Sequence, residues 1–270
     1  MSKIEIVPPS PVQPAADGLI ELQNRVALMT SLADLSPPER LARLRRDLSG
    51  KITLTTSFGM EAQVILHWIA EQGLDIDVVT LDTGRLFPET YELWTETERR
   101  YGRTIRAIYP DPADLEALVA QHGINGFYQS REARTACCGV RKVDPLKRAL
   151  EDAQAWITGL RADQSAFRAQ TSVVTFDTAR RLLKVNPLLD WTRQAVADFA
   201  AVNDVPINKL HARGFVSIGC APCTRAVTPG EPERAGRWWW EDEEKKECGL
   251  HLPGRRAASL SGGELSQAGS

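Results

Sequence analysis

The sequence predicts an α/β protein with a mainly parallel sheet flanked by helices. Short strand-like segments alternate along the chain with amphipathic helical segments, a pattern typical of parallel sheets covered on both faces. Glycines and prolines lie at the ends of several segments. The 270 residues are 43% hydrophobic and 25% charged, as in an ordinary globular protein. We therefore expect one α/β domain over residues 19–240.

Three helices, each followed by a strand, are predicted in the first half of the chain. The helices begin at prolines or end at glycines, which are common start and stop residues, and the strands are short apolar runs. In chain order these segments are helix 37–50, strand 51–58, helix 60–73, strand 75–82, helix 87–102 and strand 103–110. The second half adds strands 153–160 and 181–189 and helix 192–204.

Both ends of the chain differ from this pattern. Prolines cluster in residues 1–18, which predicts a flexible N-terminal arm. Residues 241–270 are polar, charged and rich in small residues, which predicts a mobile C-terminal tail.

Charge and hydropathy exclude several classes of protein. A net charge of −2 and a pI near 6.1 provide no basic surface for nucleic acid. No run approaches the roughly 18 apolar residues of a membrane span, and the N-terminus lacks the apolar core of a signal peptide. We expect a cytoplasmic protein, whose thiols stay reduced, so closely spaced cysteines are metal ligands or catalysts rather than disulfides.

Two loops follow the first two strands, where α/β sheets bind their ligands. In TTSFGMEA, Ser57 and Gly59 precede a helix, whose free backbone N–H groups could hold an anion. In LDTGRLFPET, Asp82, Thr83 and Gly84 occupy the matching position. Neither loop has the GxxxxGK[ST] or GxGxxG pattern, so an ordinary strand-to-helix turn is the alternative.

Four of the five cysteines form two close pairs, Cys137 with Cys138 and Cys220 with Cys223. Four thiolates can hold zinc or an iron–sulfur cluster. An adjacent pair is unusual for zinc ribbons and suits a cubane cluster, in which each thiolate binds a different iron. The alternatives are a redox pair at CxxC and small buried hydrophobic residues at the adjacent pair.

The fifth cysteine, Cys248, lies in the charged segment EDEEKKECGLH. Lys245 and Lys246 favour its thiolate, the nucleophilic form, whereas the nearby glutamates oppose it. Charge alone therefore leaves open whether Cys248 is a nucleophile or an incidental exposed thiol.

Taken together, these segments resemble the assimilatory adenylyl-sulfate (APS) and phosphoadenylyl-sulfate (PAPS) reductases. The resemblance spans about residue 50 to about residue 252. It rests on SFGMEAQV, LDTGRLFPETY, CCGVRKVDPL, ITGLRADQS, IGCAPCTR, GEPERAGRWWW and the terminal ECGLH. It implies an adenine-nucleotide α-hydrolase-like fold, related to the PP-loop ATP pyrophosphatases. It also implies reduction of activated sulfate to sulfite, in sulfate assimilation and cysteine biosynthesis, with electrons from thioredoxin or glutaredoxin.

The resemblance assigns roles to particular residues. Cys137, Cys138, Cys220 and Cys223 would hold one 4Fe–4S cluster, the mark of the group that typically uses APS. Cys248 would attack the sulfate sulfur and form an S-sulfocysteine. The cations expected around the phosphosulfate are Lys142, Arg161, Arg234, Arg237 and His251. Each of these could instead be an ordinary surface charge. A homo-oligomer is compatible with the sequence, which does not specify one.

Three alternatives remain at this point. Ala62 resembles the PAPS group, so a PAPS reductase or an enzyme that accepts both substrates is the nearest alternative. A PP-loop enzyme of ATP-dependent sulfur transfer is a second, although its loop normally reads SGGxDS. The third is a nucleotide-binding protein stabilised by zinc.

Overall fold

A computed structural model describes residues 16–166, 168–241 and 249–250, with side chains from Asn24 onward. Six strands form one sheet in the order β3-β2-β1-β4-β6-β5. All neighbouring strands are parallel except β5, which pairs antiparallel with β6 at one edge. The strands are β1 (Lys51–Thr56), β2 (Asp77–Leu81), β3 (Arg106–Ile108), β4 (Ala153–Ile157), β5 (Val174–Asp177) and β6 (Leu182–Val185). The predicted α/β fold with a mainly parallel sheet is confirmed.

Eight α-helices surround the sheet in the described part of the chain. They are α1 (Ala16–Leu32), α2 (Pro37–Asp47), α3 (Met60–Glu71), α4 (Pro88–Tyr101), α5 (Pro112–His122), α6 (Arg131–Cys138), α7 (Asp144–Ala149) and α8 (Arg193–Val202). The predicted helices correspond to α2, α3, α4 and α8. The other four helices and the short edge strand β5 were not predicted, although Asp111 and Pro112 are a recognisable helix start for α5.

A wide helical turn joins α6 to α7. Gly139–Val143 forms a π-helix directly after Cys138, so α6, this π-turn and α7 are continuous. Wide turns of this kind often occur at functional sites. Pro145 lies at the start of α7 and has no N–H to donate to an earlier carbonyl. Because a π-turn has more residues per turn than an α-helix, it rotates the side chains after Cys138 relative to the face that carries the cysteine pair.

The predicted ends of the chain are described only in part. Residues 16–18 of the expected arm belong to α1, so the arm boundary lies earlier than predicted. Residues 1–15, 242–248 and 251–270 lie outside the described residues. No helix in the described ranges is both long and apolar enough to cross a membrane.

One buried arginine joins α1, α2 and the segment after β6. Arg40 on α2 is 2% exposed and donates from both terminal nitrogens to the carboxylate of Asp190, at 2.7 Å each. It also donates to the carbonyl oxygens of Leu32, Ala33 and Pro187. A single guanidinium on α2 thus satisfies acceptors from two other segments, the end of α1 and the residues after β6, which fixes α2 against both.

We expect Arg40→Ala to lower the free energy of unfolding by about 2–3 kcal/mol, because three carbonyl groups and a carboxylate lose their donor. Urea unfolding at pH 7 measures this change. Arg43→Ala on the same helix is the control, since the Arg43 side chain is exposed and its ion pair is with Asp47, four residues later on the same helix. A loss for Arg40→Ala below about 0.5 kcal/mol, the range of ordinary surface substitutions, would contradict this role.

The ion pair between Arg40 and Asp190 also makes the free energy of unfolding depend on pH. Hydrogen bonds from Arg40 hold the pKa of Asp190 below its ordinary value. A lowered carboxyl pKa stabilises the fold above the pKa of the unfolded chain, and this contribution is lost as the pH falls through the lowered value. The difference between wild type and Arg40→Ala should therefore narrow at acidic pH.

Candidate functional site

A cleft of about 200 Å³ opens at the carboxyl edge of the sheet. Its walls come from the loops after β1, β2 and β4, from residues 216–220, and from residues between 233 and 238. The carboxyl ends of parallel strands meet at one edge, so loops far apart in sequence converge there.

The loop after β1 leads into the N-terminus of α3 at the cleft wall. Ser57 and Gly59 both line the cleft. Phe58, between them, has a φ of +58°, a conformation that bulky residues rarely adopt. Its amide donates to the Thr56 hydroxyl at 2.9 Å, and its ring stacks on Trp94. These contacts hold the strained turn that directs the first N–H groups of α3 toward the cleft.

In the loop after β2, one predicted residue lines the cleft and two others shape the turn. Thr83 lines the cleft. The Asp82 carboxylate accepts from the Gly84 amide at 2.8 Å and from the Tyr91 hydroxyl at 2.9 Å. Burial, followed by the bond to Asp82, raises the pKa of Tyr91 to about 12. Among the described residues, Asp82 and Gly84 do not line the cleft; they shape the turn after β2. Their predicted contacts with substrate stay a prediction.

Three of the predicted cations, Lys142, Arg234 and Arg237, line the cleft. Arg237 is 7% exposed, and its guanidinium lies 4.8 Å from the ring centre of Trp238. Its Nε has no hydrogen-bond partner among the described residues. A buried guanidinium with an unused donor beside a cleft can bind an anion.

Gly219 is required for the position of Arg237. A Cβ atom at Gly219 would lie 2.3 Å from a terminal nitrogen of Arg237, closer than real contacts allow. The absence of a side chain at this position lets the guanidinium lie against the backbone of the IGC segment.

Arg161 lies behind the cleft wall rather than on it. It is fully buried and donates to Glu61 at 2.7 Å, to Glu233 at 2.9 and 2.7 Å, and to Asp163. Glu61 and Glu233 themselves line the cleft. Burial raises the pKa of Glu233, although Arg161 opposes this shift. Arg161 thus joins the start of α3 to the loop that carries Arg234, and direct contact with substrate stays a prediction.

Sequence reasoning missed a further cation and two carboxylates on the cleft wall. Arg168 is 7% exposed and lines the cleft, as do Glu61 and Glu233. Arg168 follows β4 in the chain, and its position at the carboxyl edge could have been inferred from that strand. The local sequence carries no comparable indication for Glu233, which reaches the cleft through its pairing with Arg161.

All four paired cysteines line one small cavity behind the cleft. Cys138, Cys220 and Cys223 are buried and pack with Phe127 and Trp238, and Cys137 lies beside them. No group of three or more His, Cys, Asp or Glu side chains within the described ranges is arranged to hold a metal ion.

The cysteine cavity and the cleft share a wall. Lys142, Cys220 and Trp238 line both. Burial would raise the pKa of Cys220, but the charge of Lys142 and a hydrogen bond with Thr83 outweigh it, so the pKa lies below its usual value. By contrast, burial together with the charge of Cys220 raises the pKa of Cys223 to about 11.

The surroundings of this cavity suit an electron-rich sulfur centre. The positive charges of Arg141 and Arg134 act on Cys137 and Cys138, respectively. The indole Nε1–H groups of Trp238 and Trp240 are buried without a hydrogen-bond partner in the described chain. Four thiols, nearby cations and unused N–H donors therefore form a set that fits an iron–sulfur cluster, whose sulfur atoms accept hydrogen bonds.

The two remaining predicted residues, Cys248 and His251, lie outside the described residues. Gly249 and Leu250, between them in sequence, are described, and Leu250 lines the cleft.

Several known proteins are similar to this chain in sequence or in fold. The family model for the phosphoadenosine phosphosulfate reductase domain matches residues 51–226. A protein of Sinorhizobium fredii (strain USDA 257) named adenosine 5′-phosphosulfate reductase is 55% identical over 84% of this chain and 90% of its own length. One from Allochromatium vinosum with the same name is 50% identical over 79% of this chain and 83% of its own length. The crystal structure of a PAPS reductase from Candida auris in a phosphate complex superposes with a TM-score of 0.62, at 26% identity, over 80% of this chain and 99% of that one.

We expect Gly219→Ala to weaken binding of inorganic sulfate about tenfold, because the added methyl group displaces Arg237 and removes a charged hydrogen bond. Titration calorimetry measures the affinity. Gly139→Ala is the matched control, since a Cβ at Gly139 meets nothing within 4 Å. Equal sulfate affinity in Gly219→Ala and wild type would show that Arg237 does not need this close approach.

Proposed function

The chain belongs to the phosphoadenosine phosphosulfate reductase family, and on that premise we propose that it reduces APS to sulfite and AMP in sulfate assimilation. The observation that carries this proposal is that relatives sharing at least half of their aligned residues with this chain are named adenosine 5′-phosphosulfate reductases. The proposed electron donor is a cytoplasmic thioredoxin, with glutaredoxin as the alternative.

The cleft supplies the charges that this substrate requires. APS carries negative charge on its phosphate and on its sulfate, and Lys142, Arg168, Arg234 and Arg237 all line the cleft. Fixed cations near the phosphosulfate neutralise the charge that develops on AMP as it leaves. The helix N-terminus after Gly59 adds backbone N–H donors to this set.

Cys248 is the proposed nucleophile. Its thiolate attacks the sulfate sulfur, the bond from that sulfur to the bridging oxygen breaks, and AMP leaves with the bonding electron pair. The product is an S-sulfocysteine at position 248. One thiolate of the dithiol donor then attacks the Sγ of Cys248 and releases sulfite. The second donor thiol breaks the resulting mixed disulfide, which restores Cys248 and leaves the donor oxidised by two electrons.

We assign Cys137, Cys138, Cys220 and Cys223 as ligands of one 4Fe–4S cluster. When bound, the cluster would join the two cysteine pairs into a rigid, negatively charged unit behind the cleft. Lys142 lines both cavities, which supports a position for its ammonium between the cysteine thiolates and a phosphosulfate bound in the cleft. In this position Lys142 can orient the phosphosulfate while it balances the charge of Cys220.

Charge also favours APS over PAPS. PAPS carries an additional 3′-phosphate, a dianion that requires cations of its own. The carboxylates of Glu61 and Glu233 line the same cleft, where they are paired with Arg161 and offer no donor to a further phosphate group. Ala62 beside them adds no charge. PAPS remains the alternative substrate because the superposed Candida auris enzyme is a PAPS reductase.

The side-by-side turnover of APS and PAPS tests the substrate. We expect kcat/KM for APS to exceed that for PAPS by about tenfold or more, because the 3′-phosphate is a dianion that requires cations beyond those that bind the phosphosulfate. Sulfite release by anaerobically purified protein with thioredoxin measures both values. If PAPS were turned over as fast as APS or faster, the assignment of APS as the preferred substrate would be wrong. If neither APS nor PAPS yielded sulfite, the reductase assignment would be wrong.

The metal content tests the cysteine assignment. Anaerobic protein should contain about four irons and four sulfides per chain. Cys137→Ser and Cys220→Ser should each lose most of that iron, because one thiolate ligand is missing. Cys248→Ser is the control and should keep it. Full iron content in Cys137→Ser would exclude the adjacent pair as ligands, and zinc in place of iron would support the zinc-stabilised alternative.

The covalent intermediate tests the nucleophile. Wild-type protein incubated with APS and no reductant should carry one added SO3 group on the peptide that contains Cys248. Cys248→Ser should form no adduct and no sulfite while it keeps its affinity for AMP. Peptide mass spectrometry locates the adduct. An adduct on another cysteine would remove Cys248 from this role.

A further inference from the structure

The last two described residues of the chain are Gly249 and Leu250, and Leu250 lines the cleft. Leu250 is partly buried against an apolar cluster formed by Leu146, Leu150, Trp156 and Leu182. This cluster is separate from the main core of the sheet and belongs to α7, β4 and β6. The C-terminal segment therefore contacts the body of the protein through a specific apolar site.

The apolar site and the cleft have residues in common. Leu146 and Trp156 line the cleft together with Leu250. The indole of Trp156 is held by a hydrogen bond of 2.8 Å to the Thr55 hydroxyl on β1. Leu250 thus packs against side chains that are fixed to the sheet beside the substrate site.

Gly249 passes close to the π-turn that carries Lys142. A Cβ at Gly249 would lie 3.6 Å from a methyl carbon of Val143. Its φ is +86°, which glycine adopts readily and other residues do not. This conformation allows the backbone to bend at the helix surface as Leu250 enters its site.

We propose that Gly249 and Leu250 form an anchor that seats the C-terminal segment on α7 and positions Cys248 for attack, an inference that rests on the proposed function of Cys248. Cys248 directly precedes Gly249, and neighbouring Cα atoms in a chain lie about 3.8 Å apart. Attack requires the sulfur to approach its target to about 3–3.5 Å. Fixing the adjacent residue limits the volume that the thiol can search, so the anchor raises its effective concentration at the cleft.

The rate of S-sulfocysteine formation tests the anchor. In single-turnover experiments with saturating APS and no reductant, Leu250→Ala and Gly249→Ala should each form the adduct about tenfold more slowly, a barrier increase of about 1.4 kcal/mol. AMP affinity and iron content should remain within about twofold of wild type. Leu250→Met should restore most of the rate, because it refills the apolar site.

Two controls match these variants. Leu35→Ala removes a partly buried leucine from the main core, away from the cleft, and should leave the adduct rate unchanged. Gly102→Ala places a side chain at a glycine with φ of +57° at the end of α4, and should likewise leave it unchanged. A wild-type adduct rate in both Leu250→Ala and Gly249→Ala would overturn the proposal, as would an equal loss in the controls.

A second measurement is independent of the reaction. Trypsin cleaves after Lys245 and Lys246, which precede the anchor. Cleavage there should be about tenfold faster in Leu250→Ala than in wild type or Leu35→Ala, because the segment is no longer held. Equal cleavage rates would overturn the anchor. If wild-type protein forms no adduct on Cys248 but cleavage is faster in Leu250→Ala, the anchor stands and the proposed role of Cys248 fails.

Discussion

Arginine side chains are buried near the carboxyl edge of the sheet, and a buried cation requires a compensating partner such as a carboxylate, a carbonyl group or an aromatic ring. Arg134, Arg141, Arg161 and Arg237 are each less than 8% exposed. Removing such groups from water costs several kcal/mol unless partners compensate. Arg161 is compensated by carboxylates, whereas Arg237 lies over an indole ring with one donor unused. Arg161 therefore holds the structure of the site together, whereas Arg237 has a donor that could bind an anion.

The shared wall between the two cavities follows from the same constraint. Thiolates in a buried cavity need positive charge nearby, and so does a phosphosulfate in the cleft. Lys142 lines both spaces, and the π-turn after Cys138 determines where it lies relative to the cysteine pair. In an uninterrupted α-helix, Lys142 would lie one turn after Cys138 on the same face. With the wide turn, Lys142 lies on the wall that the cysteine cavity shares with the cleft.

One side of the cleft is apolar and contacts Leu250 rather than lying among the cations. Its cationic side binds charge, whereas Leu146 and Trp156 provide the surface against which Leu250 packs. Apolar packing of this kind does not depend on the charge of a bound anion. The cations and the apolar side chains that contact Leu250 therefore line the same cleft.

The sequence by itself determined the parallel α/β fold, the two cysteine pairs and the loops that border the cleft, because these depend on periodicity and close spacing. It did not determine which polar residues turn inward. The sequence predicts Arg161 beside the substrate, a contact that stays a prediction, but it does not reveal the bonds of Arg161 to Glu61 and Glu233, which are 100 and 72 residues away. The contact of Thr83 with Cys220 spans 137 residues. Such pairings arise only when distant loops meet at the sheet edge, where a buried charge selects the partner that best offsets its lost hydration.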